Sequence, residues 1–311
     1  MTVPSGIPAV PGPAVSDPAV PDPESRTQLP DLVGVVGGGR MGSGIAHAFL
    51  TAGAAVRVVE ADADAGRRAL AAVGRAVQAS ADRGRLSGSV RQVMDRLTIV
   101  DGAGALRGAG LVIEAVPESV DLKMSVLGDV AAAVDPDAVI ATNTSSLSVT
   151  ELSAALPSAQ RSRFLGLHFF NPVPASTLIE VVVGGSTDTG VVNSARQWVH
   201  ALGKTAVTVA DSPGFASSRL GVLLGLEAIR MVQDGVASAA DIDAAMTLGY
   251  GHPMGPLRLT DVVGLDVRLG VADYLAGKLG PRFTAPQLLR EMVSRGDIGR
   301  KSGHGFFDWT D

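Results

Sequence analysis

The 311-residue sequence contains no cysteine. Disulfides, thiolate nucleophiles and cysteine-ligated metal centres are therefore excluded outright. It also has no basic excess: 26 Lys and Arg stand against 31 Asp and Glu, a formal net charge of −5. With a pI near 5.5, that balance speaks against nucleic acid or an anionic membrane surface as partner. No apolar run approaches the roughly 20 residues needed to span a bilayer. The first residues lack the basic start and apolar stretch of a secretory signal. Histidine is scarce, with five in the chain, so acid–base candidates can be weighed one by one. What is present, 46% hydrophobic and 18% charged residues, can bury a core, and the length suits two domains. A cytoplasmic enzyme is the expectation.

Val33-Gly34-Val35-Val36 reads as a buried strand. Gly37-Gly38-Gly39-Arg40-Met41-Gly42 follows as a glycine turn, and Ser43-Gly44-Ile45-Ala46 as the opening of a helix. Gly37, Gly39 and Gly42 fit the G-x-G-x-x-G spacing. The first glycine permits the tight turn, the second lets a pyrophosphate approach the backbone, and the third lets helix pack on strand. The helix start, with Arg40 and Met41, then meets the phosphates with free N–H groups and a positive dipole end. A second apolar run, Val56-Arg57-Val58-Val59, ends in Glu60, where an acid would hold the ribose hydroxyls of a dinucleotide. In a chain with 38 glycines the spacing alone is weak. Strand, turn, helix, strand and acid in that order make it a dinucleotide site, and Glu60 favours NAD over NADP by repelling a 2′-phosphate.

Residues 1–30 carry Pro4, Pro8, Pro11, Pro13, Pro18, Pro21, Pro23 and Pro30 and read as a flexible, partly polyproline-II tail. An inert extension is the expectation there, a docking segment the alternative. From Asp31 strand and helix patterns alternate, as in a parallel α/β sheet. Strands are expected at Leu97–Val100, Leu111–Val116, Ala138–Ala141, Phe164–Phe169, Ile179–Val183 and Ala206–Val209, and helices at Ala63–Arg83 and Leu122–Val134. After Asp211-Ser212-Pro213-Gly214 strand signals become scarce, and Arg219–Gln233 and Ala240–Leu248 read as apolar helices. The fold expected is α/β: a Rossmann-type nucleotide-binding domain with a mostly parallel sheet over 31–211, then an all-helical domain over 212–311. The very apolar first helix of that second domain calls for a core or a subunit interface.

Four histidines have plain explanations: His47 and His200 in helices, His252 and His304 in Gly/Pro-rich turns. His168 ends an apolar strand, and the carboxyl end of a parallel strand is where α/β sheets hold their ligands. Twelve residues on, Glu180 lies inside the run Leu178-Ile179-Glu180-Val181-Val182-Val183. A carboxylate there is costly unless paired. A His168–Glu180 pair would meet that cost and fix the imidazole tautomer. A structural salt bridge to an Arg or Lys elsewhere is equally compatible. Asn143-Thr144-Ser145-Ser146 follows another strand end, where turn chemistry alone would explain it.

Taken together these segments resemble the 3-hydroxyacyl-CoA dehydrogenases, closest to the short bacterial 3-hydroxybutyryl-CoA dehydrogenases. The resemblance rests on Gly37–Ala46, Glu114-Ala115-Val116-Pro117-Glu118, Thr142-Asn143-Thr144-Ser145-Ser146-Leu147 and Gly166-Leu167-His168-Phe169-Phe170-Asn171-Pro172-Val173-Pro174. It continues through Asp211-Ser212-Pro213-Gly214-Phe215, Pro253-Met254-Gly255-Pro256-Leu257, Gly264-Leu265-Asp266 and Gly299–Phe307. It implies NAD as cofactor, an acyl thioester bound between the domains and a homodimer formed through the helical domain. It implies His168 as general base, Glu180 as its carboxylate partner and Ser145 as a substrate-contacting catalytic serine. Glu118, Lys123 and Asn143 are implied on the cofactor, and Asn171 on the substrate.

Two departures fall near the acyl site. Ser218 stands where the family carries a substrate-contacting Asn before Arg219, and Ser176-Thr177 replaces a usual Met-Lys. They leave the redox chemistry intact and open the substrate. The first reading is NAD-dependent oxidation of a 3-hydroxyacyl-CoA. The alternatives are the same chemistry on a hydroxyacyl group held by an acyl carrier protein, and a crystallin-like or nucleotide-sensing protein without turnover. No metal is expected.

Overall fold

A computed structural model describes residues 29–309. The chain runs β1 (Leu32–Val36), α1 (Arg40–Thr51), β2 (Ala55–Glu60), α2 (Ala63–Asp82), α3 (Val90–Met94), β3 (Leu97–Asp101), β4 (Leu111–Glu114), α4 (Val120–Ala133), β5 (Val139–Thr142) and α5 (Val149–Leu152). It continues through β6 (Phe164–Phe169), β7 (Leu178–Val183), α6 (Thr189–Ala201) and β8 (Thr205–Ala210). Helices follow: α7 (Ser217–Gln233), α8 (Ala239–Tyr250), α9 (Pro256–Val263), α10 (Leu265–Leu279) and α11 (Gln287–Arg295).

The eight strands form one sheet in the order β3-β2-β1-β4-β5-β6-β7-β8. The first six are parallel, in the order of a dinucleotide-binding fold that turns back between β1 and β4. β7 then runs antiparallel to β6, with His168 opposite Glu180, and β8 pairs parallel to β7. Strands buried on both faces explain the near-continuous apolar runs of the sequence. One face, with Val33, Val35, Leu111 and Ile113, packs on Ile45 and Phe49 of α1. The other, with Val112, Ile140 and Phe164, packs on Leu127 and Val130 of α4. Helix starts are capped locally: Asp62 accepts from Ala65 N–H at 2.7 Å, and Ser119 caps α4. Leu226, Ile229, Leu257, Leu265 and Leu275 centre a third core among the C-terminal helices.

The expected tail lies outside the described residues except for its last two. Leu29 packs against the first core and Pro30 lies over Gly110, so the sheet domain begins slightly earlier than the proline pattern suggests. Among the described residues no helix is long and apolar enough to cross a membrane.

Candidate active site

The turn after β1 is built for a close approach. A Cβ on Gly42 would stand 1.7 Å from the Gly37 carbonyl oxygen, so only glycine lets α1 start there. A Cβ on Gly39 would meet nothing within 4 Å, which leaves that part of the backbone open to a ligand. The first bond of α1 runs from Ser43 N–H to Gly39 C=O, and the N–H groups ahead of it lie at the mouth of a cavity of about 1410 Å³. Gly37, Gly39, Arg40, Met41 and Glu60 all line this cavity. Glu60 Oε1 accepts from Gly38 N–H at 2.6 Å, which ties the end of β2 to the glycine turn, and Oε2 accepts from Ala61 N–H at 3.3 Å. Arg57 is turned away and donates to the Ala105 carbonyl at 2.7 Å. Two cations that the sequence reading passed over, Arg68 and Arg75 of α2, line the cavity instead. Open backbone at Gly39, helix N–H groups and an acid on the cavity wall fit a dinucleotide.

His168 and Glu180 meet across the β6–β7 pair, with Nδ1–H donating to Oε2 at 2.8 Å. The carboxylate accepts only, so the proton sits on Nδ1 and Nε2 carries the free lone pair. The alternative of an Arg or Lys partner for Glu180 is thereby removed. Glu180 is 1% exposed. Oε1 accepts from the N–H groups of Ser217 and Ala216 at 2.8 and 3.2 Å, and Oε2 also accepts from Ser217 Oγ–H at 2.7 Å. Burial would raise its pKa, but the hydrogen bonds from His168 and Ser217 outweigh burial and hold the carboxyl below its ordinary value. The imidazole lies between two rings, with centroids 4.5 Å from Phe170 and 5.7 Å from Phe215.

Beside this pair, at the ends of β4 and β5, a second carboxylate holds the Ser145 turn. Glu118 Oε1 accepts from Thr144 Oγ at 2.6 Å, Ser145 N–H at 2.9 Å and Ser145 Oγ, Ser146 N–H and Ser146 Oγ at 3.2 Å each. Burial would raise the Glu118 pKa, but Lys123 and these donors bring it below the usual carboxylate value. Lys123 is itself enclosed, at 1% exposed. Its ammonium donates to Glu114 Oε1 at 2.7 Å and to the Val116 carbonyl at 3.1 Å, and stands 3.4 Å from Glu118 Oε2. Two of its hydrogens therefore go to Glu114 and Val116, and its charge also stands beside Glu118. Glu114 in turn accepts from Thr142 Oγ–H at 2.6 Å and Val116 N–H at 2.8 Å.

Asn143 Oδ1 accepts from Phe169 N–H at 2.9 Å, joining the ends of β5 and β6 and leaving its NH₂ and one lone pair of Oδ1. Asn171 is exposed on the loop after β6, and Ser218 is half-buried on the first turn of α7. Phe215 leads into that turn at φ 50, in the left-handed region. Ser217, Glu114, Thr142 and Thr144 have no role of their own in the sequence patterns. Glu114 had a legible signal, a carboxylate closing the fully apolar run Leu111-Val112-Ile113, while Ser217 had none.

Residues 32–212 match the family model described as 3-hydroxyacyl-CoA dehydrogenase, NAD binding domain. Residues 214–309 match the model described as 3-hydroxyacyl-CoA dehydrogenase, C-terminal domain. A 3-hydroxybutyryl-CoA dehydrogenase of Mycobacterium tuberculosis is 41% identical over 285 residues, covering 89% of this chain and 98% of its own length. A probable 3-hydroxybutyryl-CoA dehydrogenase of Bacillus subtilis is 38% identical over 279 residues, covering 89% and 96%. The crystal structure of (S)-3-hydroxybutyryl-CoA dehydrogenase PaaH1 from Ralstonia eutropha is similar with a TM-score of 0.86 at 35% identity, covering 91% of this chain and 100% of that one.

Proposed function

The chain belongs to the 3-hydroxyacyl-CoA dehydrogenase family of NAD-dependent oxidoreductases, and from that premise we propose that it interconverts a short 3-hydroxyacyl-CoA and its 3-oxoacyl-CoA through a His168–Glu180 general base. NAD, when bound, supplies the acceptor for the hydride that leaves C3. His168 Nε2 takes the proton of the 3-hydroxyl, and Glu180, ionised and held by four donors, stabilises the imidazolium that results. In the reverse direction the same nitrogen returns the proton. Ser145, whose turn Glu118 holds, takes the substrate oxygen in this reading by exchanging the hydrogen bond that its Oγ–H donates to Glu118 Oε1 at 3.2 Å. The observation that carries this reading is the buried His168–Glu180 bond at the carboxyl end of β6, in the same parallel sheet whose β1 ends in a turn shaped for a dinucleotide.

A second reading, a hydroxyacyl group on an acyl carrier protein, rests on Ser218. A serine hydroxyl is shorter than an asparagine amide and has one donor hydrogen where the amide has two. NADH formation measured with CoA thioesters, carrier-bound acyl groups and free 3-hydroxy acids separates these readings from a protein without turnover. On 3-hydroxybutyryl-CoA, Ser218→Asn is expected to raise kcat/KM by up to about tenfold, the worth of one neutral hydrogen bond. On a native substrate that uses the vacated space, it lowers kcat/KM. High wild-type activity on 3-hydroxybutyryl-CoA with no gain from the substitution removes Ser218 as a substrate marker.

The helical domain also carries the reading of a homodimer. Leu220, Leu223 and Leu224 of α7, Val262 and Val263 of α9 and Val267 of α10 are all exposed, as are Leu248 and Tyr250 of α8, which concentrates exposed apolar side chains in this domain. The expected molecular mass in sedimentation equilibrium is twice that of the chain. A monomer, with Leu224→Asp leaving the mass unchanged, would overturn this reading.

A further inference from the structure

One oxygen of Glu180 serves two donors. Oε2 accepts from His168 Nδ1–H at 2.8 Å and from Ser217 Oγ–H at 2.7 Å. The hydroxyl and the imidazole therefore draw on the same oxygen of the carboxylate. The hydroxyl comes from the first residue of α7, in the helical domain, whereas both members of the dyad come from the sheet. Oε1 is anchored separately by the Ser217 and Ala216 N–H groups. Removing the Ser217 hydroxyl would leave the backbone anchor in place and change only the charge on Oε2.

The surroundings isolate this effect. The rings of Phe170 and Phe215 flank the imidazole and carry no charge. On the elements packed around the dyad, Arg219 of α7 donates to Ser212 Oγ at 3.3 Å, and Glu118 lies behind the Ser145 turn that it holds. Asn143 is bonded to Phe169 N–H, and Ser218 and Asn171 do not ionise.

We propose that Ser217 is a positioning residue that sets the proton affinity of His168 by sharing Glu180 Oε2 with it. A donor on that oxygen withdraws charge from it, so the imidazolium gains less from the carboxylate. His168 then stays neutral, the form that accepts a proton from the substrate hydroxyl, to lower pH. The hydroxyl thus extends to lower pH the range in which His168 can accept the substrate proton, and leaves the reaction equilibrium unchanged. This inference rests on the dehydrogenase reading above.

The test compares wild type, Ser217→Ala and Ser217→Thr. His168 ring titration is followed by NMR in the full-length, cofactor-free protein, with the signal assigned by its loss in His168→Gln. Ser217→Ala should raise the His168 midpoint by about 0.5–1 pH unit, a fraction of a charge-assisted hydrogen bond. Ser217→Thr, which keeps a hydroxyl, should titrate like wild type. In kinetics, the acid limb of kcat/KM for oxidation and the basic limb for reduction should both move upward by the same amount in Ser217→Ala. A midpoint that is unchanged or lower in Ser217→Ala, or Thr behaving like Ala, overturns the proposal. If the ring titrates as expected while the wild type turns over no 3-hydroxyacyl thioester, the tuning stands and the functional reading fails.

Discussion

His168→Gln is expected to lower kcat for 3-hydroxyacyl-CoA oxidation by about 10²–10⁴, the usual worth of a positioned acid–base group. At 1.36 kcal/mol per decade that is roughly 3–5.5 kcal/mol of barrier. The glutamine amide can still donate to Glu180 Oε2, so the carboxylate is not left buried and unpaired. What it lacks is a nitrogen lone pair facing the substrate hydroxyl. NAD affinity should be unchanged, because the cavity around the glycine turn does not include His168. Steady-state kinetics with a cofactor titration followed by fluorescence checks both parts. Wild-type turnover in His168→Gln would remove the residue from the chemistry. Glu180→Gln should also slow turnover, and it should move the acid limb of the pH–rate profile downward, since an imidazolium would lose the negative charge to which its Nδ1–H donates. That direction is opposite to the shift expected for Ser217→Ala.

Lys123→Met is expected to destabilise the fold by about 3–5 kcal/mol, the cost of breaking a buried ion pair from one side. Glu114, with none of its surface exposed, would keep its charge and lose its cation, retaining only Thr142 Oγ–H and Val116 N–H. At roughly 2–4 °C per kcal/mol for a domain of this size, the melting temperature should fall by about 6–20 °C. Glu118 would lose its cation too, so the Ser145 turn should loosen and KM for the acyl substrate should rise. Combining Lys123→Met with Glu114→Gln should recover part of the loss, because the orphan charge is gone. Calorimetry of the two single variants and the double variant is decisive: a single-variant loss under 1 kcal/mol would mean that water reaches this pair.

Lys123 also shows how far residue types alone could be read. Its place five residues after Glu118 implies, through resemblance, a cofactor contact, and the bond to Glu114 is what the structure adds. Chain spacing does not tell whether a lysine faces a cavity or a neighbouring carboxylate. Here the side chain enters the layer between α4 and the ends of β4 and β5, where Glu114 waits for it. Asn143 is a similar case: its carbonyl oxygen accepts from the end of the adjacent strand.

The sequence by itself determined the parts that depend on near neighbours. The strand–turn–helix at Val33–Ala46 follows from apolar periodicity and from positions where a side chain does not fit, and Glu60 follows from the length of one βαβ unit. The change to helices after Gly214 is written in the same local patterns. Tertiary structure decided what faces what. Glu180 had two equivalent partners on paper, and the reversal of β7 against β6, which puts it opposite His168, selected one. Ser217 reaches the dyad across 37 residues because α7 begins against the sheet edge, aiming its first N–H groups and one hydroxyl at a buried carboxylate. Local propensity acts over a few residues, whereas strand direction and the seating of a helix end arise only when the whole sheet and the second domain pack together.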